Sequence, residues 1–208
     1  MCRLLFFIIV VFCVIILSLE LIINTNMKDK KILLCVTGGI AAYKACSLVG
    51  YFVKNGADVK VIMSKAATEF VGPLTFQALT NHAVYIDMFE IINKEEVEHI
   101  SLATWCDVAV IAPATANTIG KIAGGIADNL LTTVIAALPQ KKKVVIAPAM
   151  NKEMWNNPIT QDNIKKLKKY SRYIFVEPRK GMLACRVEGA GKIADTETIV
   201  ETVKKALK

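Results

Sequence analysis

Metal-binding patterns are missing from this sequence. Its six cysteines, Cys2, Cys13, Cys35, Cys46, Cys106 and Cys185, form no CxxC pair and share no metal-ligand spacing with the two histidines, His82 and His99. No structural zinc or other metal site is expected, and the pattern fits reduced thiols in a cytoplasmic setting. No internal repeat and no Ser/Gly-rich linker divides the chain beyond its opening segment. Of 208 residues 54% are hydrophobic, which excludes disorder and fits one domain with a full core.

What is present begins with an apolar run. From Leu4 to Leu17 no residue is polar, and the stretch continues to Ile23 broken only by Ser18 and Glu20. As a helix it would be ~30 Å long, enough to cross a bilayer. A cleaved signal peptide fits less well, because the following SLELIINTN lacks a small-x-small site. As a membrane anchor it would leave the main domain in the cytoplasm, since Lys28, Lys30 and Lys31 outweigh Arg3. A third reading makes Met27 the true start and the segment an upstream extension. The expected organisation is therefore a hydrophobic N-terminal segment, 1–26, and a single domain, 27–208.

Residues 1–26 hold one Arg and one Glu, so the net charge of +8 belongs to the domain. A basic balance suits phosphorylated ligands, nucleic acid or an acidic membrane. Much of the excess lies in Lys141 to Lys143, Lys165, Lys166, Lys168, Lys169, Lys204 and Lys205, on polar turns and helix faces without interleaved aromatics. Such lysines make a solvated surface, and no nucleic-acid partner is expected.

Along 27–208, short β-branched runs alternate with helical patterns. KILLCV, DVKVIM, DVAVIAP, KKVVIAPAM and YIFVEP read as strands, and AAYKACSLVGYFVKNG, NTIGKIAGGIADNLLTTVIAAL and NPITQDNIKKLKKY as helices. Between DVKVIM and DVAVIAP the pattern is mixed. In the last segment Ile199, Val200, Val203 and Leu207 repeat at helical spacing behind Asp195 or Thr196 as cap. Strands apolar on both faces and separated by helices predict an α/β fold: a doubly wound, Rossmann-like or flavodoxin-like parallel sheet with helices on both faces. Its ligand belongs beyond the carboxyl ends of the strands.

Those ends are rich in small and polar residues. The first strand runs into Thr37, Gly38, Gly39 and Ile40, which suits either an anion site at a helix start or a plain tight turn. The turn is neither GxGxxG nor GxxxxGK[ST], so it supports neither a dinucleotide nor a nucleoside triphosphate. Ser64 ends the second strand, and Thr115, Ala116, Asn117 and Thr118 follow the third. Three strand ends of this kind converge on one ligand pocket, which favours the anion site.

TGGIAAYK at 37–44, HISLA at 99–103, PATANTIGKIAGGIADNLLTT at 113–133, PAMNKEMW at 148–155 and LAC at 183–185 together resemble the homo-oligomeric flavin-containing cysteine decarboxylases. The likeness runs from about Lys30 to Lys208. Family members typically begin just before a KKILLxVTGGIAAYK-like run, where Met27 stands, and this favours the upstream-extension reading of 1–26.

The resemblance implies FMN as cofactor, with Gly38, Gly39, Ile40, Ser64, Thr115, Ala116, Asn117, Thr118 and Ala149 around it. The implied substrate is phosphopantothenoylcysteine, decarboxylated to phosphopantetheine in coenzyme A biosynthesis. In the mechanism the resemblance implies, bound FMN would supply an electron sink for a hydride equivalent from the carbon that carries sulfur, and a thioaldehyde would accept the electrons left by carbon dioxide. The enethiol so formed is then reduced and protonated. His99, by itself more readily a structural histidine, becomes the implied base. Cys185, by itself a small buried hydrophobe, becomes the implied proton donor on a flap. Asn151 reads from the sequence as a helix N-cap and by resemblance as the substrate-carboxylate residue, two compatible roles. Asn117, Ala184 and Arg186 are the other implied substrate contacts. Arg186 stands where the family commonly has glycine, which bears on flap motion. Met150, Met154 and Trp155 are expected to shape the site, and His82 to be a surface residue.

The resemblance further implies trimers, or multiples of them, with FMN between subunits, and a separate phosphopantothenoylcysteine synthetase in the pathway. Two other readings remain: a peptidyl-cysteine decarboxylase of the same family, and a non-enzymatic flavoprotein that regulates a partner. Flavin prenyltransferases share the fold without the His and Cys pair.

Overall fold

In the computed structural model, residues 27–89, 98–182, 184 and 188–208 are described. The apolar segment 1–26, Cys185 and Arg186 lie outside them. The main sheet has six parallel strands: β1 (Lys31–Val36), β2 (Asp58–Met63), β3 (Val84–Tyr85), β4 (Val108–Ala114), β5 (Lys143–Pro148) and β6 (Tyr173–Phe175), in the spatial order β3-β2-β1-β4-β5-β6. The strands match the five expected runs, with β3 added at an edge. The mixed stretch before it holds helix α2 (Pro73–Thr80), which ends at Asn81 in the left-handed conformation, φ 58°.

Alternation along each strand sends side chains to two cores. Ile32, Leu34 and Val36 of β1 face a cluster closed by α1 (Lys44–Lys54), α2 and α8 (Thr196–Ala206), with Phe52, Phe76 and Val203 fully buried in it. Leu33 and Cys35 face the opposite cluster, closed by α3 (Glu98–Trp105), α4 (Ala116–Gly124), α5 (Leu130–Ala137) and α7 (Pro158–Lys168). The fold is thus the expected doubly wound one.

Three local features depart from the sequence pattern. The run NTIGKIAGGIADNLLTTVIAAL is two helices, because Gly125 turns left-handed, φ 70°, and Asn129 opens α5 with a capping box. Asp195 is the N-cap residue of α8 but makes no side-chain cap bond; its carboxylate pairs with Arg179. Beyond β6 the chain forms an antiparallel ribbon, β7 (Arg179–Met182) with β8 (Glu188–Lys192), outside the main sheet.

Removing the Phe52 side chain leaves a hole in a core that has no exposed edge there. Phe52→Ala is expected to lower unfolding stability by about 3–5 kcal/mol in a urea titration, whereas Ile159→Ala, at a site 70% exposed, stays within about 0.5 kcal/mol.

Candidate active site

The sheet reverses direction of growth between β1 and β4: β2 and β3 extend it to one side, β5 and β6 to the other. At such a switch point the loops leaving adjacent strands part and open a crevice. Here the crevice is a cavity of about 890 Å³. Its floor is laced by buried hydrogen bonds. The Thr37 hydroxyl, 1% exposed, donates to the Pro113 carbonyl at 2.7 Å and accepts the Thr115 N–H at 3.1 Å. The Ala149 N–H donates to the Ala114 carbonyl at 3.0 Å, which ties the end of β5 to that of β4.

Each wall follows from its local sequence. Gly38 passes Ala66 so closely that a Cβ placed on it would lie 2.5 Å from the Ala66 Cβ. Only glycine lets the first turn lie against the loop after β2. On the same wall the Ser64 Oγ is buried and among the described residues has no hydrogen-bond partner, an orphaned polar atom in a cavity-lining residue. Thr115 caps α4 through its Oγ1, which accepts the Thr118 N–H at 3.3 Å. The backbone between Ser64 and Ala67 and that between Gly39 and Ala42 each close a short turn, so Gly39 and Ile40 face the opening with small or apolar groups.

Asn151 caps the short helix α6 (Lys152–Asn156). Its Oδ1 accepts the N–H groups of Glu153 at 2.8 Å and Met154 at 3.2 Å. That fixes the amide's orientation, and among the described residues Nδ2, a donor, is left unpaired in this cavity-lining residue. Asn151 is thus the expected helix cap, and the same residue lines the cavity.

Gly38, Gly39, Ile40, Ser64, Thr115, Asn117, Thr118 and Ala149 all line this cavity, as do Asn151 and Ala184. Ala116, the first residue of α4, does not. His99 lies in the first turn of α3, half-buried, and is not on the cavity wall. Met150 and Met154 line the cavity, and Trp155 packs on the core behind it. His82 is a surface residue with a partner, its Nε2 2.8 Å from Asp58 Oδ1.

Four lysines on the wall, Lys44, Lys65, Lys121 and Lys192, escaped the sequence reading. Lysine is common on solvated helix faces, so only the fold shows which ones converge. Lys121 is paired with Asp128 at 2.7 Å, and that hydrogen bond lowers the Asp128 carboxyl below its ordinary range. The described cysteines are poor thiolates. Burial pushes Cys106 up to about 11, raises Cys35 with help from Cys106, and raises Cys46 as well. Among the described residues no cluster of His, Cys, Asp and Glu is arranged to hold a metal.

A family model described as Flavoprotein matches residues 21–208. The chain is 48% identical over 179 residues to the coenzyme A biosynthesis bifunctional protein CoaBC of Bacillus subtilis, covering 86% of this chain and 43% of that protein. It is 44% identical over 178 residues to a probable phosphopantothenoylcysteine decarboxylase of Streptococcus mutans, covering 86% and 99% of the two. It therefore spans less than half the length of the first relative and nearly all of the second. Two solved structures share its fold at 36% identity. A cysteine-to-serine variant of PPC decarboxylase complexed with pantothenoylaminoethenethiol has a TM-score of 0.77, with 86% of this chain and 98% of that one covered. The FMN binding protein AtHal3 has a TM-score of 0.74, with 86% and 96% covered. A match that runs through every strand and helix around the cavity leaves one conclusion: the chain belongs to the Flavoprotein family.

Proposed function

We propose that this protein is an FMN-dependent decarboxylase that converts phosphopantothenoylcysteine to phosphopantetheine in coenzyme A biosynthesis. The observation that carries the reading is the switch-point cavity itself. It pairs a buried Ser64 hydroxyl, unpartnered among the described residues, and a side-chain-free Gly38–Gly39 turn with the amide of Asn151. The first pair suits a phosphate, the last a carboxylate. The likeness to an FMN binding protein and to a decarboxylase holding a thiol-bearing ligand supports both halves.

The residues present fit FMN. Gly38, Gly39 and Ser64 would take its phosphate through N–H groups and a hydroxyl, and Thr115, Asn117, Thr118 and Ala149 would flank the rest. When bound, the flavin supplies the electron sink that loss of carbon dioxide from a cysteine carboxylate requires, because the substrate's own thiol cannot accept the electrons. Asn151 Nδ2 would donate to the substrate carboxylate and orient it. Cys185, next to the cavity-lining Ala184, would return a proton to the enethiol, and Arg186 beside it would contact substrate.

His99 supports an oligomer. As the base for thiol oxidation it must meet the substrate, yet it lies off the cavity wall of its own chain. A neighbouring copy that presents α3 to this cavity completes the site. Exposed apolar groups at the mouth, Ile40, Tyr43 and Met182, and Ile100 next to His99 are the surfaces such packing would cover. A homotrimer, or a multiple of one, is the assembly proposed. A separate synthetase would supply the cysteinyl substrate, and no nucleic acid is involved. We place the domain in the cytoplasm, which suits its free thiols at Cys35, Cys46 and Cys106. Among the described residues no helix is long and apolar enough to cross a membrane.

Three outcomes check this. Gly38→Val forces the first turn away from Ala66 and should weaken FMN binding at least about 10-fold in a fluorescence titration, with the far-ultraviolet spectrum retained. His99→Asn and Cys185→Ser should each cut carbon dioxide release from phosphopantothenoylcysteine by about 100-fold or more. If the site is shared between copies, refolding the two variants together restores part of that activity; a mixture as inactive as its components contradicts the shared site. Mass measurement of the native protein's N-terminus should read Met27 as the first residue, and a species that retains Leu4 to Leu17 would contradict the upstream-extension reading.

A further inference from the structure

The four lysines of the cavity wall differ in what surrounds them. Lys44 and Lys65 follow the Gly38–Gly39 turn and Ser64, the end proposed for the flavin phosphate. Lys121 is already neutralised by Asp128. Lys192 is on β8 of the ribbon, half-buried, and among the described residues no carboxylate pairs with it.

Two glycines place it. Arg179 faces Lys192 and Lys180 faces Ala190, so Gly191 is the unopposed residue of a β-bulge, with φ 119°. Its carbonyl accepts the Met150 N–H at 2.9 Å, and a Cβ on it would strike the Met150 carbonyl. That contact seats the ribbon on the loop that carries Asn151. Across the ribbon, Gly181 has φ 148°, and a Cβ there would lie 3.9 Å from Lys192 Cδ and 4.0 Å from its Nζ. The lysine stem therefore crosses the bare backbone of β7. Lys192 lines the cavity with its ammonium beside Gly181 of β7, whereas the Asn151 carbonyl lies against Gly191.

We propose that Lys192 is a specificity-determining residue that binds the substrate's phosphate, the anionic group remote from the reacting cysteine. The inference rests on the decarboxylase reading above. Two anionic groups on that substrate are open to a lysine, and the chemistry separates them. A cation fixed on the departing carboxylate would hold charge on oxygen. It would stabilise the ground state more than the transition state, where that charge has moved off. The neutral Asn151 amide avoids this. A dianionic phosphate stays charged throughout the reaction, and lysine serves it as a point charge. Binding there lowers the energy of substrate and transition state alike, so it appears as selection between substrates.

The test uses the flavin-loaded, assembled enzyme and measures carbon dioxide release from phosphopantothenoylcysteine and from pantothenoylcysteine, which lacks only the phosphate. The preference is the ratio of kcat/KM for the first over the second. Wild type should show a clear preference, and Lys192→Met and Lys192→Gln should each shrink it at least about 10-fold. Lys192→Arg should keep most of it. A flavin absorption spectrum like that of wild type shows that each variant retains the cavity. An unchanged preference in the Met and Gln variants overturns the proposal, as does an equal fall with both substrates, which would assign Lys192 to the carboxylate or to packing. If wild type releases no carbon dioxide from either compound, the decarboxylase reading falls and this inference with it; turnover without loss of preference removes the inference alone.

Discussion

One buried hydroxyl holds the site in register. Thr37 has a single oxygen that donates to β4 at Pro113 and accepts from the first residue beyond it, Thr115, so the ends of β1 and β4 cannot drift apart without breaking both bonds. The two strands flank the switch point of the sheet, and the loops that carry Gly38, Ser64, Thr115 and Asn151 leave from them or from their neighbours, with the β7–β8 ribbon closing the cavity from beyond β6. The crevice needs loops that diverge and strand ends that do not. A hydroxyl, which donates and accepts at once, meets both demands where an apolar side chain would meet neither. Such a bond is worth more in a dry interior than at a surface, because losing it strands two buried partners.

Around that fixed floor the polar groups divide by charge. Backbone N–H groups, neutral hydroxyls and lysines line the walls, and among the described residues Lys121 is the wall lysine with a carboxylate partner. A cavity so furnished favours ligands that bring negative charge with them. Asn151 adds a different element. The helix it caps uses its acceptor, and among the described residues its donor is left unpaired beside the cavity, so the energy that orders α6 also fixes the amide's orientation. Orientation obtained this way needs no reorganisation when ligand arrives.

The strands and most helices were legible because their signals are local. Runs such as KILLCV and DVAVIAP are apolar on both faces, and only a sheet covered on two sides wants that. The break inside residues 117–138 was hidden, since Gly124 and Gly125 interrupt a pattern whose apolar spacing continues through them; the turn is set by one backbone angle. β3 is two residues long and paired only at one side, too short to carry a period. The ribbon β7–β8 was missed as structure because its glycines are there for contacts with Met150 and Lys192, which sequence spacing does not encode. The site followed the same rule. Gly38, Ser64, Thr115 and Asn151 are readable at strand ends and line the cavity, the family resemblance agrees with the Flavoprotein match, and the wall lysines emerge only once the strands are in place. His99 was nameable from its motif alone, but its distance from the cavity is a property of the packed chain.

The central claim is that the cavity between β1 and β4 holds a flavin. Ultraviolet–visible absorption of the purified, assembled protein tests it most directly, with the flavin quantified after release by denaturation. The account predicts a yellow protein with one FMN per chain, or a colourless one that turns yellow and saturates at that ratio when FMN is added. A folded, assembled protein that stays colourless with FMN in excess would contradict it.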